Sequence, residues 1–213
     1  MSRDRESRHL LAWGSTGAGK TTAMLLLMLG AIHRKAKVLI LDTKGDLTSK
    51  LPYLGGLLAH QDSRSMRWDI AYDCRTPQEA RELAARVIPP SGSDPMWSNA
   101  ARDIFIACIV SLQNVYRDAW SWAALRDLVL ADAETLLEVA EQHYPAATQY
   151  LSDPTNKTAQ SVLTTFKAHM NIVLVLGDAW PQSAGGFSIR KWLELTNCNP
   201  RILQRDGQCP QKS

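Results

Sequence analysis

The chain has 213 residues, between one large domain and two small ones, and long enough to bury a core without disulfide or metal staples. Hydrophobic residues at 45% and charged residues at 21% exclude a disordered chain, a collagenous one and a coiled-coil rod. Lys plus Arg at 24 against Asp plus Glu at 21 leave +3, too little to mark a nucleic-acid binder by charge alone.

The longest nearly apolar run, Ala23 to Ile32, is too short to span a bilayer, and no basic segment followed by an apolar one opens the chain. The sequence as written predicts a soluble, unexported, cytoplasmic polypeptide. Cys74, Cys108, Cys198 and Cys209 are scattered without metal-ligand spacing and read as reduced thiols. The basic groups Arg190, Lys191, Arg201, Arg205 and Lys212 read as a solvated tail.

In chain order, a short apolar strand is expected at His9 to Trp13, then a glycine-rich turn, a helix from about Lys20 to His33, and a strand at Lys37 to Asp42. Strand, crossover helix and strand form a βαβ unit, which predicts an α/β fold with a parallel sheet. The helix is apolar on nearly every face, so it is expected to be buried in a larger layer than one such unit supplies. After Cys74 the pattern turns helical. Thr76-Pro77-Gln78-Glu79 reads as a capping box with proline at the first helical position. Ala100 to Tyr116 reads as a long helix, Ser121 and Asp132 as N-caps of two shorter ones, Asp153-Pro154 as the opening of another long one, and Ser188 as the cap of the last.

Gly14-Ser15-Thr16-Gly17-Ala18-Gly19-Lys20-Thr21 matches the phosphate-binding pattern G-x-x-x-x-G-K-[ST] in full. The glycines let successive N–H groups turn inward as an anion nest, and the following helix aims its positive end at the same phosphates. Lys20 is expected to bridge the β- and γ-phosphates of ATP, Thr21 to ligate Mg²⁺, and Thr22 to lie beside them. A dinucleotide fold fails because threonine stands where the third glycine belongs. A GTPase fails because Asn156-Lys157-Thr158-Ala159 lacks the closing aspartate. An ATPase or a small-molecule kinase remains. Asp42, ending a strand, is a candidate metal ligand or a polar cap. Ile172 to Asp178 is either the acid-bearing strand that such an enzyme needs or the continuation of a helix.

The loop is joined by other short segments: Leu41-Asp42-Thr43-Lys44-Gly45-Asp46, Trp68-Asp69, Val87-Ile88-Pro89, Asp94-Pro95-Met96-Trp97, the helix near Ala101-Arg102, and Phe187-Ser188-Ile189-Arg190-Lys191-Trp192-Leu193. With this ordered set the chain resembles the type IV secretion coupling proteins of bacterial conjugation, particularly the TraD type, which are relatives of the ring-forming DNA translocases. The resemblance implies a partial RecA-like P-loop nucleotide-binding domain with a large all-α insertion. It assigns residues 1–73 to the first part of the nucleotide-binding domain, 74–196 to the all-α domain, and 197–213 to the return. It also implies ATP and Mg²⁺, DNA, a relaxase and the secretion channel as partners, and a homo-hexamer at the cytoplasmic face of the inner membrane in the intact protein. Members carry transmembrane helices before the loop and a magnesium-holding acid pair on a later strand, so the chain reads as a fragment with incomplete hydrolytic machinery. On the resemblance the Asp178 run is helical. The alternative is a stand-alone kinase or nucleotide-binding regulator with a helical lid. Tryptophans 68, 97, 120, 122, 180 and 192 read as core residues before they read as base-stacking platforms.

Overall fold

The computed structural model describes residues 9–51, 56–91, 95–153, 156–183 and 185–194. The chain divides between Gly55 and Gly56 into two units, and the described part of the second runs from 56 to 194.

Among the described residues of the first unit, the helices are α1 (Lys20–His33) and α2 (Asp46–Lys50). α1 ends in a Schellman motif: Lys35 takes φ 60°, its N–H donates to Ile32 O, and the N–H of Ala36 donates to Ala31 O. The expected strands at 9–13 and 37–42 form no ladder, and both segments lack regular secondary structure. A short apolar run announces a buried strand, but a ladder exists only where a neighbouring strand accepts its hydrogen bonds. Leu39 and Leu41 are 73% and 89% exposed, and α1 buries only Ile32, short of the burial its composition predicts.

The second unit is helical, with α3 (Ile70–Asp73), α4 (Pro77–Val87) and α5 (Pro95–Tyr116) followed by α6 (Trp122–Val129) and α7 (Ala133–His143). A 3₁₀ turn, η1 (Pro145–Tyr150), leads to α8 (Lys157–His169), α9 (Asn171–Ala179) and α10 (Ile189–Glu194). α5 is the hub: every residue from Ile104 to Gln113 is buried, and α4, α6, α7, α8 and η1 all pack on it. A helix apolar all round is stable only when surrounded. α9 instead packs along α6.

Local chemistry sets the helix starts. Thr76 and Glu79 form the complete capping box of α4, and the side chains of Ser121 and Asp132 accept from Ala124 N–H and Thr135 N–H. The opening of α8 differs from expectation. Its N-cap is Asn156, accepting from Thr158 N–H at 2.9 Å, and the Asp153 carbonyl accepts from Asn156 N–H. The apolar pattern from Val162 to Leu174 spans two helices, because the chain breaks at the buried Met170. Ile70, Ala71 and Cys74 belong to the same core as Ile104 and Phe105. Residues 197–213, with Cys198 and Cys209, lie outside the described residues.

Candidate phosphate-binding site

Left-handed backbone builds the loop. Gly17 and Gly19 have φ 85° and 78°, and a Cβ at either would meet no atom within 4 Å, so the glycines serve conformation rather than packing. Gly19 is the N-cap of α1. The first helical hydrogen bond runs from Ala23 N–H to Gly19 O at 2.9 Å, which leaves the amides of Lys20, Thr21 and Thr22 outside the ladder at the positive end of a 14-residue helix. Gly14, Ser15, Thr16 and Ala18 are exposed around this opening, as are Thr21 and Thr22. The Lys20 ammonium folds back over the loop and donates to Gly14 O at 2.8 Å and Ser15 O at 2.6 Å. Unladdered amides, a lysine held at the loop and no side chain filling its glycine turns fit a polyphosphate.

The acids behave differently. Asp42 accepts from Gly45 N–H with Oδ1, and from Leu47 N–H, Thr48 N–H and Thr48 Oγ1 with Oδ2. It therefore caps the turn that opens α2, helped by Gly45 at φ 76°. The Thr48 amide holds the carboxyl below its ordinary value. Among the described residues no group of three or more His, Cys, Asp or Glu is placed to hold a metal. The Asp178 run is not a strand. It lies in α9, where exposed Asp178 pairs with Arg126 of α6 at 2.7 Å. Its apolar residues continue a helical stripe, and that periodicity decided its conformation.

Trp120, Trp122 and Trp180 are buried, and Trp68 and Trp97 pack against the same core. Between 56 and 194 the chain holds sixteen Asp and Glu against twelve Lys and Arg, so net charge gives these helices no general attraction for a phosphate backbone. Sequence reading missed the roles of Asp69 and Asp73, which bind the segment near residue 188. Their partners lie more than a hundred positions away, beyond any spacing rule.

A glycine loop of this backbone ahead of a helix is the P-loop arrangement. The chain belongs to the type IV secretion-system coupling protein DNA-binding domain family, whose model matches residues 1–204. Solved structures give the same relationship. The bacterial conjugative coupling protein TrwB, lacking its first 70 residues and unbound, matches at 25% identity and TM-score 0.72, covering 93% of this chain and 45% of that one. TrwB in complex with ADP and Mg²⁺ matches at 25% identity and TM-score 0.73, covering 94% and 46%. TrwB in complex with the GTP analogue GDPNP matches at 25% identity and TM-score 0.72, covering 93% and 46%. The chain thus spans less than half the length of the structures it matches. Comparison with curated proteins finds no match. A stand-alone kinase is not favoured, because the family match runs through the helices as well as the loop. No described helix is long and apolar enough to cross a membrane.

Proposed function

We propose that this chain is the ATP-binding part of a conjugative DNA-transfer coupling protein. In that reading, residues 1–73 begin a RecA-like nucleotide-binding domain, 74–196 form its all-α insertion, and 197–213 begin the return. The intact protein is a hexameric, DNA-translocating ATPase at the cytoplasmic face of the bacterial inner membrane. It links a relaxase–DNA complex to a type IV secretion channel. The observation that carries the reading is the loop itself, Gly14 to Thr22, with Lys20 at its mouth and α1 behind it, in a chain of this family.

ATP supplies the phosphoryl group and the charge that the loop neutralises. The amides of Gly17 to Thr22 and the positive end of α1 receive the phosphate oxygens. Lys20 is already held by Gly14 O and Ser15 O within the loop, so little side-chain freedom remains to be lost when it engages the β- and γ-phosphates. Thr21 presents the hydroxyl that would take one coordination position on Mg²⁺. Asp42, saturated by four donors, holds the turn at α2 and is the weaker of the two metal candidates.

Calorimetry of the folded full chain against Mg-ATP and Mg-GTP tests this reading. Saturable Mg-ATP binding, weakened about tenfold or more by Lys20→Ala through loss of a charge-assisted contact, is expected. Equal affinity of wild type and Lys20→Ala overturns the assignment of the loop. Tighter binding of Mg-GTP than Mg-ATP overturns the choice of nucleotide.

A further inference from the structure

The segments by which the chain enters and leaves the helical unit are tied to each other. A parallel β-bridge pairs Trp68 with Phe187. Asp69 N–H donates to Phe187 O and Phe187 N–H to Arg67 O, both at 2.8 Å. Gly186 permits this approach, since a Cβ there would lie 2.3 Å from Arg67 O and 2.8 Å from Ser183 O. Asp69, only 1% exposed, accepts from Tyr72 N–H and Gly185 N–H and lies 3.7 Å from the Lys191 ammonium.

Asp73 completes the tie. Its Oδ1 accepts from Ser188 Oγ at 2.5 Å and Arg190 N–H at 3.0 Å, and its Oδ2 from Ile189 N–H at 2.9 Å and Trp68 Nε1 at 2.7 Å. A residue on α3 therefore caps α10 from a distance, beside the local cap in which Ser188 Oγ accepts from Lys191 N–H. Arg190 reaches Glu79, the acid of the α4 capping box. The Arg75 guanidinium lies 3.4 Å from the Tyr72 ring centroid and the Lys191 ammonium 3.8 Å from it.

Two kinds of attachment coexist in this unit. α5 is held by burying its whole central stretch, whereas α10 half-buries Ile189 to Trp192, leaves Leu193 and Glu194 exposed, and is fastened at its N-terminal end by polar groups. Local stability follows buried apolar contact, and an element fastened chiefly by hydrogen bonds opens at a lower free energy than the core. Four donors on one carboxylate nevertheless make the closed state well defined, because charged acceptors form the stronger hydrogen bonds.

We propose that α10 with residues 187–188 is a releasable strap, latched by Asp73, which opens while the α5-centred body stays folded. Opening frees the segment through which the chain leaves the body. Asp73 sets how often the strap opens.

Hydrogen exchange on the full chain, read by mass spectrometry, tests the latch. In the wild type, amides of 189–194 exchange faster than those of 104–113. Asp73→Asn sets an amide NH₂ against N–H and O–H donors, and it should speed exchange at 189–191 by about tenfold or more. Exchange at 104–113 stays unchanged. Ser188→Ala removes the hydroxyl and produces a smaller rise at the same amides. Equal protection of 189–194 and 104–113 in the wild type overturns the proposal. So does a rise shared by 104–113 in either variant, outright unfolding by Asp73→Asn, or no rise in Ser188→Ala.

Discussion

Gly177 of α9 lies against Arg126 of α6 so closely that a Cβ added to the glycine would stand 2.6 Å from the arginine Cβ. No rotamer relieves a clash between two Cβ atoms, so the helices must separate. Gly177→Ala is expected to destabilise the helical unit by about 1–3 kcal/mol, as overpacking does. A fall in the urea midpoint at unchanged m-value checks it. An unchanged midpoint would mean that α6 and α9 are packed less closely than described.

The ion pair beside that contact carries the opposite expectation. Arg126 and Asp178 meet at 2.7 Å with Asp178 largely in solvent, and exposed pairs contribute little. Asp178→Asn should leave both the unfolding midpoint and Mg-ATP affinity as they are in the wild type. Loss of nucleotide binding in this variant would restore the discarded reading of Asp178 as an acid at the phosphates.

Asp42 gives the turn before α2 a pH dependence. The Thr48 amide leads the groups that hold its carboxyl below the ordinary 3.8, and they outweigh the opposing effect of burial. A carboxylate with a lowered folded value stabilises its surroundings above 3.8 and loses that contribution as pH falls through the folded value. NMR resonances of the Leu47 and Thr48 amides should titrate with a midpoint below 3.8. A transition centred above 3.8 would show that the carboxylate does not accept these donors.

Burial makes Cys74 and Cys108 inert. It pushes each thiol up to about 12, with the Glu79 charge adding to the effect at Cys74. At pH 8 the thiolate fraction is on the order of one in ten thousand, and thiolate is the reactive form. Iodoacetamide should leave both unmodified in the folded chain and label both in denaturant, as read by peptide mass spectrometry. Rapid labelling of Cys108 in the folded state would contradict the central position of α5.

The amino-acid sequence by itself determined the features whose physics is local. Thr76 with Glu79, Ser121 and Asp132 cap helices because their side chains reach amides two or three positions on. The glycines of 14–19 set the loop because left-handed φ is a property of single residues. The apolar residues between 100 and 116 marked α5 as one long helix because their spacing is helical. Tertiary structure alone decided the rest. Asn156 took the cap from Asp153-Pro154, one apolar pattern became two helices at Met170, and the segments at 9–13 and 37–42 found no ladder. Trp68-Asp69 and Phe187 to Leu193 could be recognised separately, but not as partners. Asp73 and Ser188 meet only after the helices between them have packed, because a hydrogen bond across that much chain forms only once folding has covered its loop-closure entropy.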